Sequence, residues 1–310
     1  MSDLPAFIPW IGHGAASLAP PGVFTGTTAH AFVFRSDRAA MQALADRFLN
    51  AVTGGRPRYE APVGRALASF IDVQQCTSSV DCIGWMPGRE CALWVPLLEW
   101  GSGLLPRPVL WAPYICIDYT IGELTGREVW GWSKVWARIN VPDPGAAGVP
   151  RFTCNTTMFP VLAPETRGVF GPLFQVSGRE GAAREPASAG PAEALAHFLG
   201  GLYEVEGGGA FGFEPRLAAV ALKQFRDVRD PGLACYRAIC ESPVQVTRFG
   251  GFGLLTAADW QLEITTCESH QIVTDFLGRT PDAGQTVLPV ELALWAEVDF
   301  QALPGRVIAS

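Results

Sequence analysis

The sequence predicts an α+β fold built on an antiparallel or mixed β-sheet. Three observations support this prediction: strand-like runs recur along the whole chain, helical periodicity is confined to a few segments, and the two do not alternate regularly. With 310 residues the chain is long enough for one large domain with an ample core. We therefore expect a single domain over residues 1–310, with residues 1–25 as an N-terminal arm packed on the body and residues 177–191 as a mobile loop.

The first half of the chain is predicted to hold one helix among several strands. Residues 30–35 read as a strand, after which Ser36 or Asp37 caps a helix whose apolar residues fall on one face. Residues 65–73 form a second strand-like run. Three strongly apolar runs follow, and each is predicted to form a strand: residues 91–100, 109–119 and 129–141.

The second half continues in the same way. Residues 151–171 read as strands interrupted by prolines, and residues 217–225 as a further strand. Asp230 is predicted to cap a helix that Pro231 starts and that ends at about Cys240. The remaining predicted strands are residues 245–249, 260–266 and 306–310.

Composition excludes several classes of protein. A net charge of −7 without a cluster of basic residues argues against binding of nucleic acid. No apolar run approaches the roughly 20 residues that cross a bilayer, and the N-terminus shows no basic region followed by the apolar core of a secretion signal. Eight scattered cysteines without a CxxC pair are typical of reduced thiols, so we expect a cytoplasmic protein that does not contact a membrane.

No metal or cofactor site is predicted. The four histidines lack the spacing of metal ligands. Residues 207–212 satisfy the GxGxxG pattern, but a polar segment precedes them and a strand follows, whereas a dinucleotide site needs a strand before and a helix after. We interpret them as a turn.

The most informative residue is Lys134, one of only two lysines in the chain. It stands among Trp130, Trp132 and Trp136. Burial among tryptophans disfavours the charged ammonium form, and a neutral amine can attack a ketone to form a Schiff base. The alternative is a lysine that lays its stem on the indoles while its amine reaches water or makes a cation–π contact.

The run GREVWGWSK, residues 126–134, resembles the signature of the acetoacetate decarboxylase superfamily, and the Schiff-base lysine of that family falls on Lys134. Residues 88–96 resemble the strand that carries the family's active-site glutamate, which falls on Glu90. Looser similarity extends over about residues 25–280 and includes residues 34–37, 222–227 and 268–270.

The chain departs from the family pattern at several positions. Val135 replaces the second lysine of the signature, and Ser133 replaces the proline. The carboxylate-binding arginine of the family falls near Thr27, and a second acidic position falls near Asp72. Because that arginine and the second lysine are missing, this chain is less suited to acetoacetate as a substrate. An apolar pocket lined by tryptophans favours a bulkier and less charged one.

The resemblance implies a curved antiparallel or mixed sheet that closes into a cone or barrel around the lysine, with flanking helices, and a homo-oligomer. It also implies a cofactor-independent lyase acting on a small keto acid or ketone, by decarboxylation or by aldol condensation and dehydration. Lys134 would be the nucleophile and Glu90 the general acid/base. Trp130, Trp132, Trp136, Asp72 and Thr27 would bind substrate.

Two alternatives remain open. Glu90 could instead be a structural carboxylate paired with Arg89 or Arg127, and we expect Arg127 and Glu128 to make structural contacts only. The protein could also be a catalytically silent relative that binds a hydrophobic ketone or a protein partner.

Overall fold

A computed structural model gives the architecture of the chain. It describes residues 5–9, 12–13, 17–81, 83–101, 103, 105–143, 148–179, 198, 200, 202–203, 217–256 and 259–310. In this part of the chain, no helix has both the length and the apolar character needed to span a bilayer.

In the described residues, fourteen strands form one large sheet. In chain order they are β1 (Gly22–Arg35), β2 (Arg58–Glu60), β3 (Arg65–Ser78), β4 (Met86–Trp100), β5 (Arg107–Ile117), β6 (Lys134–Trp136), β7 (Arg138–Asn140), β8 (Arg151–Met158), β9 (Val169–Ser177), β10 (Leu217–Arg226), β11 (Ala234–Leu255), β12 (Gln261–Thr265), β13 (Gln285–Ala302) and β14 (Arg306–Ala309).

Seven of these strands close into a ring. Their hydrogen-bonded order is β11, β10, β5, β4, β3, β1 and β13, and β13 pairs in turn with β11. From β13 the sheet continues through β12, β9, β8 and β7. Among the described strands, the only parallel pairs are those of β5 with β10 and of β5 with β6. The predicted mixed sheet with few helices is thus confirmed, and its closure is ring-like.

Short helices accompany the sheet. They are α1 (Arg38–Ala45), which continues through a π-helical turn (Asp46–Asn50) into α2 (Ala51–Thr53), α3 (Thr120–Thr125), which continues into a π-helical turn (Gly126–Trp130), and α4 (Ile272–Leu277). The predicted cap of α1 is confirmed, because the Asp37 carboxylate accepts a hydrogen bond of 2.7 Å from the N–H of Ala40.

The main core lies on one face of the ring strands. Phe32 of β1, Phe70 of β3 and Leu93 of β4 are fully buried there and pack with Phe152 of β8. Burial of each such side chain stabilises the fold by about 1.5–3 kcal/mol. Since successive side chains of a strand alternate in direction, the opposite face carries the intervening residues, which include Glu90 on β4.

The predicted helix from Pro231 to about Cys240 is wrong. Most of this segment belongs to β11, which pairs with β10 along its length. The Asp227 carboxylate accepts hydrogen bonds from the N–H of Arg229 and of the residue after it, so the apparent helix cap is a tight turn between two strands. Sheet pairing of the residues that follow overrides the local helix signal.

Other boundaries also differ from the prediction. The run 129–141 is not one strand, because Val129 ends up in a π-helical turn and two short strands, β6 and β7, follow it. The predicted arm already enters the sheet at Gly22. The long strand β13 and the helices α3 and α4 were not predicted. Of the predicted mobile loop, residues 180–191 lie outside the described residues, as do residues 207–212.

Candidate active site

Lys134 is the first residue of β6 and is buried, with 5 % of its side chain exposed. Its partner on β5 is Ile115. On the other side of β5, Glu90 of β4 pairs with Ile117. Paired residues of neighbouring strands share a face, and so do residues two apart on one strand. Lys134 and Glu90 therefore lie on the same face of the sheet, opposite the main core.

Glu90 contacts the amine of Lys134 directly. Its Oε2 accepts a hydrogen bond from Lys134 Nζ, and the two side chains form an ion pair. Only 17 % of the Glu90 side chain and 5 % of the Lys134 side chain are exposed. The amine also lies 4.7 Å from the ring centroid of Trp132, within the range of a cation–π contact. Two charges withdrawn from water are tolerated only while they are paired, so either side chain alone would be costly in this place.

Gly126 makes room for the stem of Lys134. A Cβ at Gly126 would lie 2.5 Å from Lys134 Cδ, which no real contact allows. The oxygen of Gly126 accepts a hydrogen bond of 3.0 Å from the N–H of Trp132, and the guanidinium of Arg127 donates one of 2.9 Å to the oxygen of Lys134. Arg127 thus has the structural role that we expected for it.

The second lysine supports the same segment. Gly131 ends the π-helical turn with a positive φ of 82°. A Cβ at this position would lie 2.3 Å from that of Lys223 on β10, so only glycine permits this approach. Lys223 Nζ donates a hydrogen bond of 3.2 Å to the oxygen of Val129. The backbone that leads to Lys134 is therefore anchored on β10.

A small apolar cavity opens beside Lys134. It offers about 30 Å³ to the centres of water-sized molecules, whereas one water needs roughly 10–15 Å³ by this measure. The rings of Trp130 and Trp132 line it and stack on each other, with centroids 5.4 Å apart. The other lining residues are Leu18, Ala19, Gly22, Phe24, Cys76, Thr77, Met86, Tyr119, Ile121, Gly122 and Thr125. The cavity therefore has room for about two water molecules.

Tyr119 is a cavity residue that sequence reasoning missed. Its ring lies between Gly88 and Gly122, where added Cβ atoms would come within 2.1 Å and 2.2 Å of it. Its hydroxyl donates a hydrogen bond of 3.4 Å to the Sγ of Cys76. Burial raises the pKa of Tyr119 well above its usual range, and the neighbouring Cys76 adds to the shift, so the phenol stays protonated. In the sequence, the only sign of this packing around Tyr119 is the presence of Gly88 and Gly122.

The end of the predicted arm also contributes to the cavity. Leu18 and Ala19 line it, and the N–H of Leu18 donates a hydrogen bond of 2.9 Å to Thr125 Oγ1. The N–H of Ala19 donates one of 2.6 Å to the carboxylate of Asp81. These contacts fix the chain just before β1 over the cavity.

Three predicted substrate-binding residues are not among the lining residues. Trp136 is 46 % exposed and packs against Phe170, with ring centroids 6.0 Å apart. Asp72 pairs with Arg89 at 2.8 Å, on the face of the sheet opposite Glu90. Thr27 is buried on β1 between β3 and β13. Glu90 is not in the lining either and adjoins the cavity through the amine of Lys134.

Val135 faces away from the cavity. It pairs with Cys116 of β5 and packs against the main core. Because side chains alternate along a strand, a lysine at this position would also point away from the amine of Lys134. The replacement of the family's second lysine by valine therefore does not remove a charge from this cavity.

Comparison with solved structures shows close agreement of fold. Acetoacetate decarboxylase from Legionella pneumophila matches with a TM-score of 0.62 and 12 % identity, over 99 % of this chain and 98 % of that chain. An acetoacetate decarboxylase-like enzyme from Sphingomonas wittichii matches with a TM-score of 0.62 and 15 % identity, over 98 % and 100 %. This chain has the acetoacetate decarboxylase-like fold.

A third match shares this fold. It is the enduracididine biosynthesis enzyme MppR, complexed with the condensation product of pyruvate and imidazole 4-carboxaldehyde, with a TM-score of 0.58 and 15 % identity over 99 % of both chains. No model of a known protein family matches the sequence, and no curated protein is similar to it. The predicted resemblance to the acetoacetate decarboxylase-like proteins is thus confirmed by structure, at the level of fold.

Proposed function

We propose that this protein is a cofactor-independent lyase that forms a Schiff base between Lys134 and a small keto acid or ketone. The observation that carries the proposal is the buried contact of Lys134 Nζ with Glu90 beside an apolar cavity. A lysine in such surroundings needs only a nearby proton acceptor to become a nucleophile.

Glu90 supplies the proton transfers in this proposal, and Tyr119 supplies a hydrogen bond. The carboxylate of Glu90 accepts the proton of Lys134 as the amine attacks the carbonyl carbon. The resulting hydroxyl then leaves as water once it has been protonated, and a protonated imine remains. Tyr119, a neutral phenol in the lining, can donate to the substrate oxygen.

The protonated imine would be the electron sink for either of two reactions. In a decarboxylation, a β-keto acid loses carbon dioxide and leaves an enamine, which takes up a proton at carbon before hydrolysis. In an aldol condensation, loss of a proton from the carbon next to the imine gives the enamine that attacks an aldehyde. Proteins of the same fold are named for the first reaction or hold a condensation product of pyruvate.

The lining of the cavity bears on the choice of substrate. Among the described residues that line it, Lys134 is the only basic side chain. A substrate carboxylate would therefore have no guanidinium partner there, although a cation normally binds such a group. We accordingly place a small ketone, or a keto acid with a single carboxylate, rather than a dianionic keto acid, in the cavity.

Turnover assays of matched lysine variants test the proposal. Purified protein is mixed with pyruvate, acetoacetate and small aldehydes, and carbon dioxide release and condensation products are both followed. We expect activity in one of these assays, complete loss in Lys134→Arg, and retention of most activity in Lys223→Arg, because an arginine can still donate a hydrogen bond to the oxygen of Val129. Equal activity in both variants would contradict the proposed role of Lys134.

One observation favours a second candidate function, namely binding without catalysis. An ammonium held by Glu90 is a poor nucleophile, and it could instead fix the carbonyl oxygen of a hydrophobic ketone. A binding protein of this kind would keep its ligand affinity in Lys134→Arg. A lyase would lose its turnover in the same variant.

We also propose that the protein forms a homo-oligomer, as its resemblance to the acetoacetate decarboxylase superfamily implies. Light scattering on the purified protein measures its mass in solution. A mass equal to that of one chain at micromolar concentration would contradict the proposal.

A further inference from the structure

Three cysteines converge in the main core, behind the Lys134 site. They are Cys91 of β4, Cys116 of β5 and Cys154 of β8, and they are 0 %, 1 % and 0 % exposed. Their Sγ atoms all lie within 4.8 Å of one another. Cys91 and Cys116 face each other as a cross-strand pair, whereas Cys154 comes from the part of the sheet beyond β13.

We propose that this cysteine cluster binds one thiophilic metal ion, Zn²⁺ or Cu⁺, which joins β8 to β4 and β5 across the core. This site is separate from the proposed Schiff-base chemistry, because Cys91 follows Glu90 on β4 and points to the opposite face. Its role would be to hold two remote parts of the sheet together, as closed structural metal sites do.

The spacing of the sulfurs fits such an ion. Metal–sulfur bonds of about 2.3 Å place the sulfurs of a tetrahedral or trigonal site about 3.8–4.0 Å apart. Sulfurs that already lie within 4.8 Å of one another need to approach by less than one ångström, and rotation of the small thiol side chains supplies this movement. Three thiols that only filled space in the core would not need to converge.

The donor set fits soft, closed-shell ions. Thiolates select Zn²⁺ and Cu⁺ among the common metals. Cu⁺ is satisfied by three sulfur ligands, whereas Zn²⁺ requires a fourth ligand. The cluster supplies three sulfurs and therefore matches Cu⁺ directly, while Zn²⁺ would need one further ligand. Binding displaces the thiol protons, and the positive ion offsets the buried negative charge of the thiolates.

Metal content after refolding tests the inference without reference to activity. Because the cluster is buried, the chain is unfolded in denaturant with a thiol reductant and a chelator, desalted, and refolded with Zn²⁺ or, anaerobically, with Cu⁺. Bound metal is then measured by elemental mass spectrometry, and refolding with Co²⁺ should give the absorption of thiolate-to-cobalt charge transfer. We expect about one ion per chain and a raised melting temperature.

Single-cysteine variants assign the ligands. Cys116→Ser and Cys154→Ser should each lose the ion and the charge-transfer band, whereas Cys235→Ser should keep both, since Cys235 is exposed and lies outside the cluster. Far-ultraviolet circular dichroism confirms that each variant is folded. If neither Zn²⁺ nor Cu⁺ is retained by the folded wild-type protein, the inference is wrong. The same holds if Cys235→Ser loses as much metal as Cys116→Ser.

Discussion

The amine of Lys134 reaches the carboxylate of Glu90 across β5, the strand that separates β6 from β4. Neighbouring strands are about 4.8 Å apart, so the two backbones are separated by roughly 10 Å at this point. Only a long side chain on one strand and a medium one on the other can meet over that distance. A lysine and a glutamate fit this geometry, and shorter residues at either position would not touch.

The first prediction concerns the carboxylate. Glu90→Gln keeps the shape of the side chain but removes the proton acceptor next to Lys134 Nζ. We expect turnover to fall by about 10²–10⁴-fold, the usual contribution of a general acid or base. Steady-state kinetics measures the change.

A matched control separates this effect from a general loss of stability. Glu291 also forms ion pairs, with Arg35 and Arg65, but it lies on β13, away from the cavity. Glu291→Gln should therefore leave turnover nearly unchanged. If Glu90→Gln turned over as fast as this control, Glu90 would have no part in proton transfer.

The second prediction distinguishes two tryptophans that the sequence placed together. Trp132 lines the cavity and lies over the amine of Lys134, whereas Trp136 packs against Phe170 at the surface. Trp132→Ala should lower kcat/KM by at least about tenfold, the effect of losing roughly 1.4 kcal/mol of transition-state stabilisation. Trp136→Ala should change it by less than about twofold. A larger effect at Trp136 would mean that substrate binds outside this cavity.

The third prediction concerns Gly126. A methyl group at this position would overlap the stem of Lys134, so Gly126→Ala should displace the amine from Glu90. We expect a destabilisation of about 1–3 kcal/mol in urea unfolding together with a fall in kcat. Gly171→Ala is the control, because a Cβ there would meet only Met158 Cε at 3.5 Å, an ordinary contact. Equal behaviour of the two variants would show that Gly126 does not position the lysine.

The fourth prediction concerns stability at low pH. Burial raises the pKa of the Glu241 carboxyl, but hydrogen bonds from Arg107 and Arg306 outweigh burial and hold this pKa below its usual range. A carboxyl with a lowered pKa in the folded state contributes its full stabilisation above the unfolded pKa of about 4.3 and loses it as the pH falls through the folded value.

Glu241→Gln should therefore be less stable than the wild type at pH 7, and the difference should shrink as the pH falls below about 4. Thermal unfolding followed at several pH values between 7 and 3 gives the two curves. Asp143→Asn, at an exposed position, serves as the control for the loss of one negative charge. A gap between wild type and Glu241→Gln that stays constant with pH would contradict the prediction.

Much of the candidate site could be predicted because its signal is local. Lys134 and the tryptophans around it stand within one short run, and the resemblance of that run to a known signature indicated both the fold and Glu90. The pairing of Glu90 with Lys134, rather than with Arg89 or Arg127, depends on which strands flank β5. The order of the strands in a sheet cannot be read from any single segment of the sequence.

The features that were missed depend on contacts between distant parts of the chain. Tyr119 became a cavity residue because Gly88, on β4, leaves space for its ring. Asp72 was predicted to bind substrate, but the register of β3 against β4 places it on the face opposite Glu90. A shift of one residue in register turns each side chain of a strand to the opposite face of the sheet, and local sequence does not fix the register. The helix predicted at Pro231 was wrong because pairing with the neighbouring strand β10 outweighed the cap signal.

Borohydride reduction in the presence of a ketone tests the central proposal most directly. The protein is incubated with pyruvate or acetoacetate, reduced, digested and analysed by peptide mass spectrometry. Because the chain has only two lysines, Lys223 serves as an internal control. We expect a reduced adduct on Lys134 and none on Lys223, and its loss in Lys134→Arg. Folded protein that gives no adduct with either compound, or that is modified equally at both lysines, would contradict the proposed Schiff base.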